Sequence, residues 1–100
     1  MPTSQAKVAT ETAPRYAKQL LSHLGHKAQV EALEGEPDGG RLVFERGTGT
    51  VRPAGDHLLL VAEAADEESL RHVEGVLARH LERFGARREL VVSWEDTPSG

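Results

Sequence analysis

The feature that most constrains this chain is the spacing of apolar residues across positions 65–85, ADEESLRHVEGVLARHLERFG. Leu70, Val73, Leu77, Leu81 and Phe84 recur every three or four residues, so they share one face of a helix. Asp66 is placed to cap the first turn, Glu67 and Glu68 suit the positive end of the dipole, and Gly85 ends the helix. A helix with one apolar face must lay that face on another apolar layer.

The rest of the chain supplies that layer and a second helix. Residues 6–11 alternate, with Ala6, Val8 and Thr10 on one side, and read as a strand. Thr12 is expected to cap a helix with Pro14 in its first turn, a stripe of Tyr16, Ala17, Leu20, Leu21 and Leu24, and a stop at Gly25. Residues 28–35, 41–47, 50–54 and 57–64 read as four further strands, and 89–94 as the last. The clusters EPDGG (36–40) and GTG (47–49) are expected to be turns, and Pro53 marks its strand as an edge or one that ends early. The order is β-α-β-β-β-β-α-β. Runs of adjacent strands favour an antiparallel sheet, so the expected fold is an α+β two-layer sandwich with both helices on one face. One domain spans 1–100, with an ordered core of about 6–95 and frayed ends at 1–5 and 96–100. The strand HLLLVAEA is apolar on both sides. That predicts either a second copy over the other sheet face or a local cluster beneath the turns.

Charge and composition exclude several functions. Sixteen acidic against twelve basic residues, net −4, argue against a nucleic-acid-tracking surface. Without cysteine there is no disulfide frame, thiolate zinc site or thiol nucleophile. No signal peptide and no membrane-spanning apolar run is visible, so the expected location is the cytoplasm. Ser22 and His23 are adjacent on a helix and do not face each other. The glycine clusters lack the strand–loop–helix context of a phosphate cradle. Tyr16, Phe44, Phe84 and Trp94 are phased with the core rather than set out as a stacking platform.

The histidines carry the remaining chemistry. His23 and His26 stand three apart at the end of the first helix, where imidazole suits either a transition metal or the carbonyls and dipole of a helix end. His80 is a polar residue among Leu77, Leu81 and Phe84 and needs a partner: a backbone carbonyl, a neighbouring side chain, or a ligand. Both helices should lie on one sheet face, so His80 is placed to meet the first helix near His23 or Tyr16. His72 falls on the polar side of its helix and His57 opens a strand after a tight turn; both read as solvent-facing.

Three segments are shared with a known family: RY…QL..H.GHK, carrying Arg15, Tyr16, His23, Gly25, His26 and Lys27; GRLVFERG, carrying Gly40 and Phe44; and HLERF..RREL…W, carrying His80, Leu81, Arg83, Phe84, Arg88, Glu89 and Trp94. On these the chain resembles DUF2218, a bacterial family of unknown function, from about residue 6 to 94. The departure is at Gly85 and Arg87, where an aromatic or apolar residue is expected. The resemblance carries no activity. It implies an association with siderophore-interacting flavin reductases, hence iron or siderophore handling and such a reductase as partner. The combined expectation is a small non-catalytic binding protein. His23, His26 and His80 would hold a transition metal (zinc, iron, copper or nickel) or a metal chelate, with Tyr16, Arg83 and Arg88 contacting the ligand. The alternative is a dimerising or partner-docking module without a small-molecule site. An acid–base enzyme built on His80 and Tyr16 is the third reading, without a nucleophile or cofactor fingerprint to support it.

Overall fold

A computed structural model describes residues 2–26, 28–33, 35–84, 92 and 94–97. The elements are β1 (Thr3–Ala9), α1 (Ala13–Leu24), β2 (Gln29–Leu33), β3 (Glu36–Phe44), β4 (Gly47–Ala54), β5 (His57–Ala64), α2 (Glu67–Phe84) and β6 (Glu95–Thr97). They form one antiparallel sheet in the order β2-β3-β4-β5-β1-β6. β2 to β5 are a meander of hairpins. α1 carries the chain from β1 over the sheet to the far edge at β2, and α2 returns it from β5 to β6, beside β1. The expected α+β sandwich and element order are both present.

The apolar stripes meet the sheet as their spacing predicts. Leu20 and Leu24 of α1, and Leu70, Val73, Leu77 and Leu81 of α2, are buried against Val8, Leu42, Val51, Leu58 and Leu60. Each such side chain contributes roughly 1.5–3 kcal/mol by leaving water. Val92 and Trp94 pack against the same core from the chain's last segment.

Several boundaries differ from expectation, each for a tertiary reason. Thr3–Gln5 are not frayed: they pair with β5 on one side and β6 on the other. β6 likewise takes in Asp96 and Thr97. The strand expected over 89–94 falls largely on residues outside those described, and the described strand begins at Glu95. EPDGG is not a turn but the first half of β3, and GTG begins β4. These glycines bring the two layers together. A Cβ at Gly40 would lie 3.0 Å from Leu21 Cδ1, and one at Gly49 would lie 2.9 Å from Leu77 Cδ1. Leu21 and Leu77 thus rest where the sheet has no side chains. Pro53 does not mark an edge. β4 is an interior strand, and Pro53 is its second-to-last residue, opposite Leu58 beside the β4–β5 turn. That turn is Gly55-Asp56, with Gly55 at φ 66°, a left-handed conformation that favours glycine.

The helix ends show what sequence can and cannot specify. Asp66 caps α2 as expected: Ser69 N–H donates to its Oδ1 at 2.7 Å. Thr12 makes no side-chain cap bond. Its hydroxyl lies 3.3 Å from that of Thr10, and the Thr10 hydroxyl accepts from Thr12 N–H. Gly25 ends α1 without a left-handed turn, at φ −60°, and its N–H donates to the Leu21 carbonyl.

The Ser69 hydrogen bonds hold the Asp66 carboxyl below its ordinary value. A depressed carboxyl stabilises the fold above its unfolded-state pKa, and that contribution is lost as pH falls through the folded one. The melting temperature of Asp66→Ala should therefore lie below wild type at neutral pH, and the gap should close on acidification. A gap that persists after all carboxylates are protonated would contradict the assignment.

Candidate functional site

The two helices converge where α1 ends. His23, in the last turn of α1, and His80, in the last third of α2, have ring centroids 5.1 Å apart with planes inclined at 50°. The position of each is set by its helix. Leu20 and Leu24 anchor the core side of α1, which leaves His23 on the border of the stripe. Leu77 and Leu81 do the same for α2 and leave His80 half-buried between them.

His80 is also fixed by a backbone bond. Its Nδ1 lies 2.7 Å from the Val76 carbonyl oxygen. A carbonyl only accepts, so Nδ1 carries the proton, and in the neutral ring Nε2 holds a lone pair. Many metal-bound histidines are oriented in this way, with one nitrogen held by a carbonyl and the other available to an ion. The two alternatives open for His80, a carbonyl bond and a contact with the first helix, are thus both realised.

The third expected ligand does not join them. His26 lies one turn beyond His23, past the helix end, and is exposed. It shares with His23, Lys18, Gln19 and Ser22 a shallow groove of about 400 Å³ along α1. Among the described residues, no three of His, Asp and Glu stand close enough together to hold a metal ion. Of the three histidines, His23 and His80 come together, and His26 does not complete a three-ligand group with them among the described residues. Tyr16 is a core residue, 6% exposed, two turns back along α1. Arg83 is exposed on the turn of α2 after His80; Arg88 lies outside the described residues. His72 is exposed as expected. His57 is half-exposed and 3.1 Å from Asp56 Oδ1, a contact that lowers the Asp56 carboxyl's pKa.

A larger concavity of about 500 Å³ lies by the β3–β4 turn. Its lining includes Arg41, Arg46, Glu45 and Glu63, so its charges offset one another. No helix among the described residues is long and apolar enough to cross a membrane.

The most unusual buried group escaped the sequence reading. Glu74 of α2 is 6% exposed, accepts a hydrogen bond from the fully buried Ser4 hydroxyl of β1, and is gripped by Arg71 Nη1 at 2.9 and 3.1 Å. The available signal was its spacing: position 74 falls inside the stripe of Leu70, Val73 and Leu77, where a carboxylate needs partners.

Comparison with known proteins agrees with the architecture. A family model described as an uncharacterized protein conserved in bacteria, DUF2218, matches residues 5–95. The NMR structure of PA4090 from Pseudomonas aeruginosa is similar, with 35% sequence identity over 95% of this chain and 96% of that one and a TM-score of 0.77. No curated protein matches the chain.

Proposed function

The chain belongs to the DUF2218 family, and we propose that it is a small binding domain whose His23–His80 pair supplies two imidazole ligands to a transition metal, alone or within an anionic chelate. The observation that carries this reading is the 5.1 Å separation of the rings. Two imidazoles bound at 2.0–2.1 Å to one tetrahedral ion have centroids roughly 5.2 Å apart. His80 Nε2 has the free lone pair that such an ion needs.

Two protein ligands leave the remaining positions to water or to a chelator. The charges nearby favour the second. Arg83 follows His80 by one turn, and Lys18 borders the groove beside His23, so a bare cation meets like charge while an anionic complex meets opposite charge. An iron–siderophore complex is one member of that class.

The test is thermal unfolding of tag-free protein with zinc, copper, nickel or iron(III) citrate. An ion or complex at a hundred times its Kd stabilises the native state by about 2.7 kcal/mol. For a domain of this size that raises Tm by roughly 10 °C or more. His80→Ala and His23→Ala should each abolish the rise, and His72→Ala should leave it intact. No rise in wild type with any of the four, or a rise retained in His80→Ala, overturns the reading.

A further inference from the structure

We propose that the His23–His80 pair takes its metal as a partial chelate, an anionic complex whose carboxylate chelator donates at most four atoms and lies in the groove along α1. This rests on the reading of the pair as metal ligands and adds which complex the pair accepts.

The first argument is coordination. Imidazoles on opposite sides of one ion have centroids roughly 6.3 Å apart, given metal–nitrogen bonds of about 2.0–2.1 Å. The observed 5.1 Å is shorter, so the two rings suit neighbouring positions. Among the described residues, no third His, Asp or Glu stands with them to form a ligand group. An octahedral ion held by the pair therefore keeps four positions within reach of a single chelator. His23 is exposed and His80 half-buried, so these positions open to solvent.

That geometry divides chelators by their number of donors. One with six fills every position and leaves none for imidazole. One with four leaves two neighbouring positions, which water holds until the complex binds. Binding is then a ligand exchange. Two waters leave, two neutral imidazole nitrogens replace them, and neither a proton nor an electron is transferred. On His80 the nitrogen is Nε2, because Nδ1 is bonded to the Val76 carbonyl.

The second argument is the groove. It is lined by Lys18, Gln19, Ser22, His23 and His26, so His23 belongs both to the pair and to the groove. The chain has sixteen acidic residues against twelve basic, yet no acidic residue among those described lines this groove. It offers instead an ammonium, an amide and a hydroxyl, all of which donate to carboxylate oxygens. Its volume of about 400 Å³ suits a small molecule. Arg83, exposed one turn after His80, adds a second cation on the α2 side.

The test is titration calorimetry of tag-free protein with three nickel probes: the hydrated ion, its nitrilotriacetate complex and its ethylenediaminetetraacetate complex. The second is a monoanion with four chelator donors and two adjacent waters, and the third has all six positions filled. The nitrilotriacetate complex should bind and the ethylenediaminetetraacetate complex should not. His23→Ala, which truncates an exposed side chain, should abolish that binding. Lys18→Glu turns an exposed attraction into a repulsion, so it should weaken the nitrilotriacetate complex roughly fivefold without weakening the hydrated ion. Lys7→Glu makes the same charge change on the other sheet face and should leave both affinities within about twofold of wild type. Hydrated nickel bound through His23, with the nitrilotriacetate complex unbound, overturns this proposal and leaves the pair as ligands. If neither binds, or if binding persists in His23→Ala, both readings fall. Binding of the ethylenediaminetetraacetate complex also overturns the proposal, since no coordination position is then used. Equal effects of Lys18→Glu and Lys7→Glu overturn it by removing the groove.

Discussion

Leu77→Ala is expected to lower the unfolding free energy by about 3 kcal/mol, and adding Gly49→Ala should return part of that loss. Leu77 is fully buried near the middle of α2 and rests on the bare backbone of β4 at Gly49. Truncation removes the transfer energy of its isobutyl group and leaves a cavity. Gly49→Ala alone pushes a methyl to within 2.9 and 3.2 Å of the two Leu77 methyls, an overpacking that costs about 1–3 kcal/mol. In the double variant the new methyl enters the space that Leu77 has vacated. Urea denaturation of the four proteins should show a coupling of about 1 kcal/mol or more between the sites. Additivity would mean that Leu77 is not seated on Gly49.

Glu74→Ala is expected to cost about 3 kcal/mol, and replacing both buried partners should cost far less. Glu74 accepts from Ser4 and Arg71 in a place that is nearly closed to water. Removing the carboxylate leaves the Ser4 hydroxyl buried without its acceptor and opens a gap under α2. Glu74→Met with Ser4→Ala removes both polar partners and keeps most of the volume, so its stability should return to within about 1 kcal/mol of wild type. A double variant as unstable as Glu74→Ala would show that the network is indispensable to the packing of α2 on β1, rather than replaceable by an apolar contact.

The contrast between Asp66 and Thr12 shows where local chemistry suffices. A carboxylate at the N-cap bonds an amide three residues on, within its own turn, and nothing distant competes. Thr12 has the same opportunity, but its neighbour Thr10 offers a competing hydroxyl, and the side-chain cap bond does not form. The glycine clusters mislead for a related reason. Two glycines in a row signal a turn when only the backbone is considered. Gly40 and Gly49 instead lie within strands, where a helix side chain comes down onto each. That approach exists only after both helices have docked.

The histidine site divides in the same way. The apolar stripes place His23 and His80 on the facing borders of two helices, and the shared sheet face makes their meeting an expectation from spacing. Their distance was beyond the sequence, as was whether His26 completes a three-ligand group with them, which it does not among the described residues.

By itself the sequence determined the element types, their order, the helix faces that turn inward and the antiparallel class of the sheet. These follow from periodicities of two and 3.6, which are properties of neighbouring residues. Only the tertiary structure decided the strand order β2-β3-β4-β5-β1-β6, the pairing of Thr3–Gln5 with Glu95–Thr97, the burial of Glu74 against Ser4 and the 5.1 Å approach of His23 to His80. Each of these joins residues far apart in the chain, so its energy exists only once the layers close, and no local pattern encodes it.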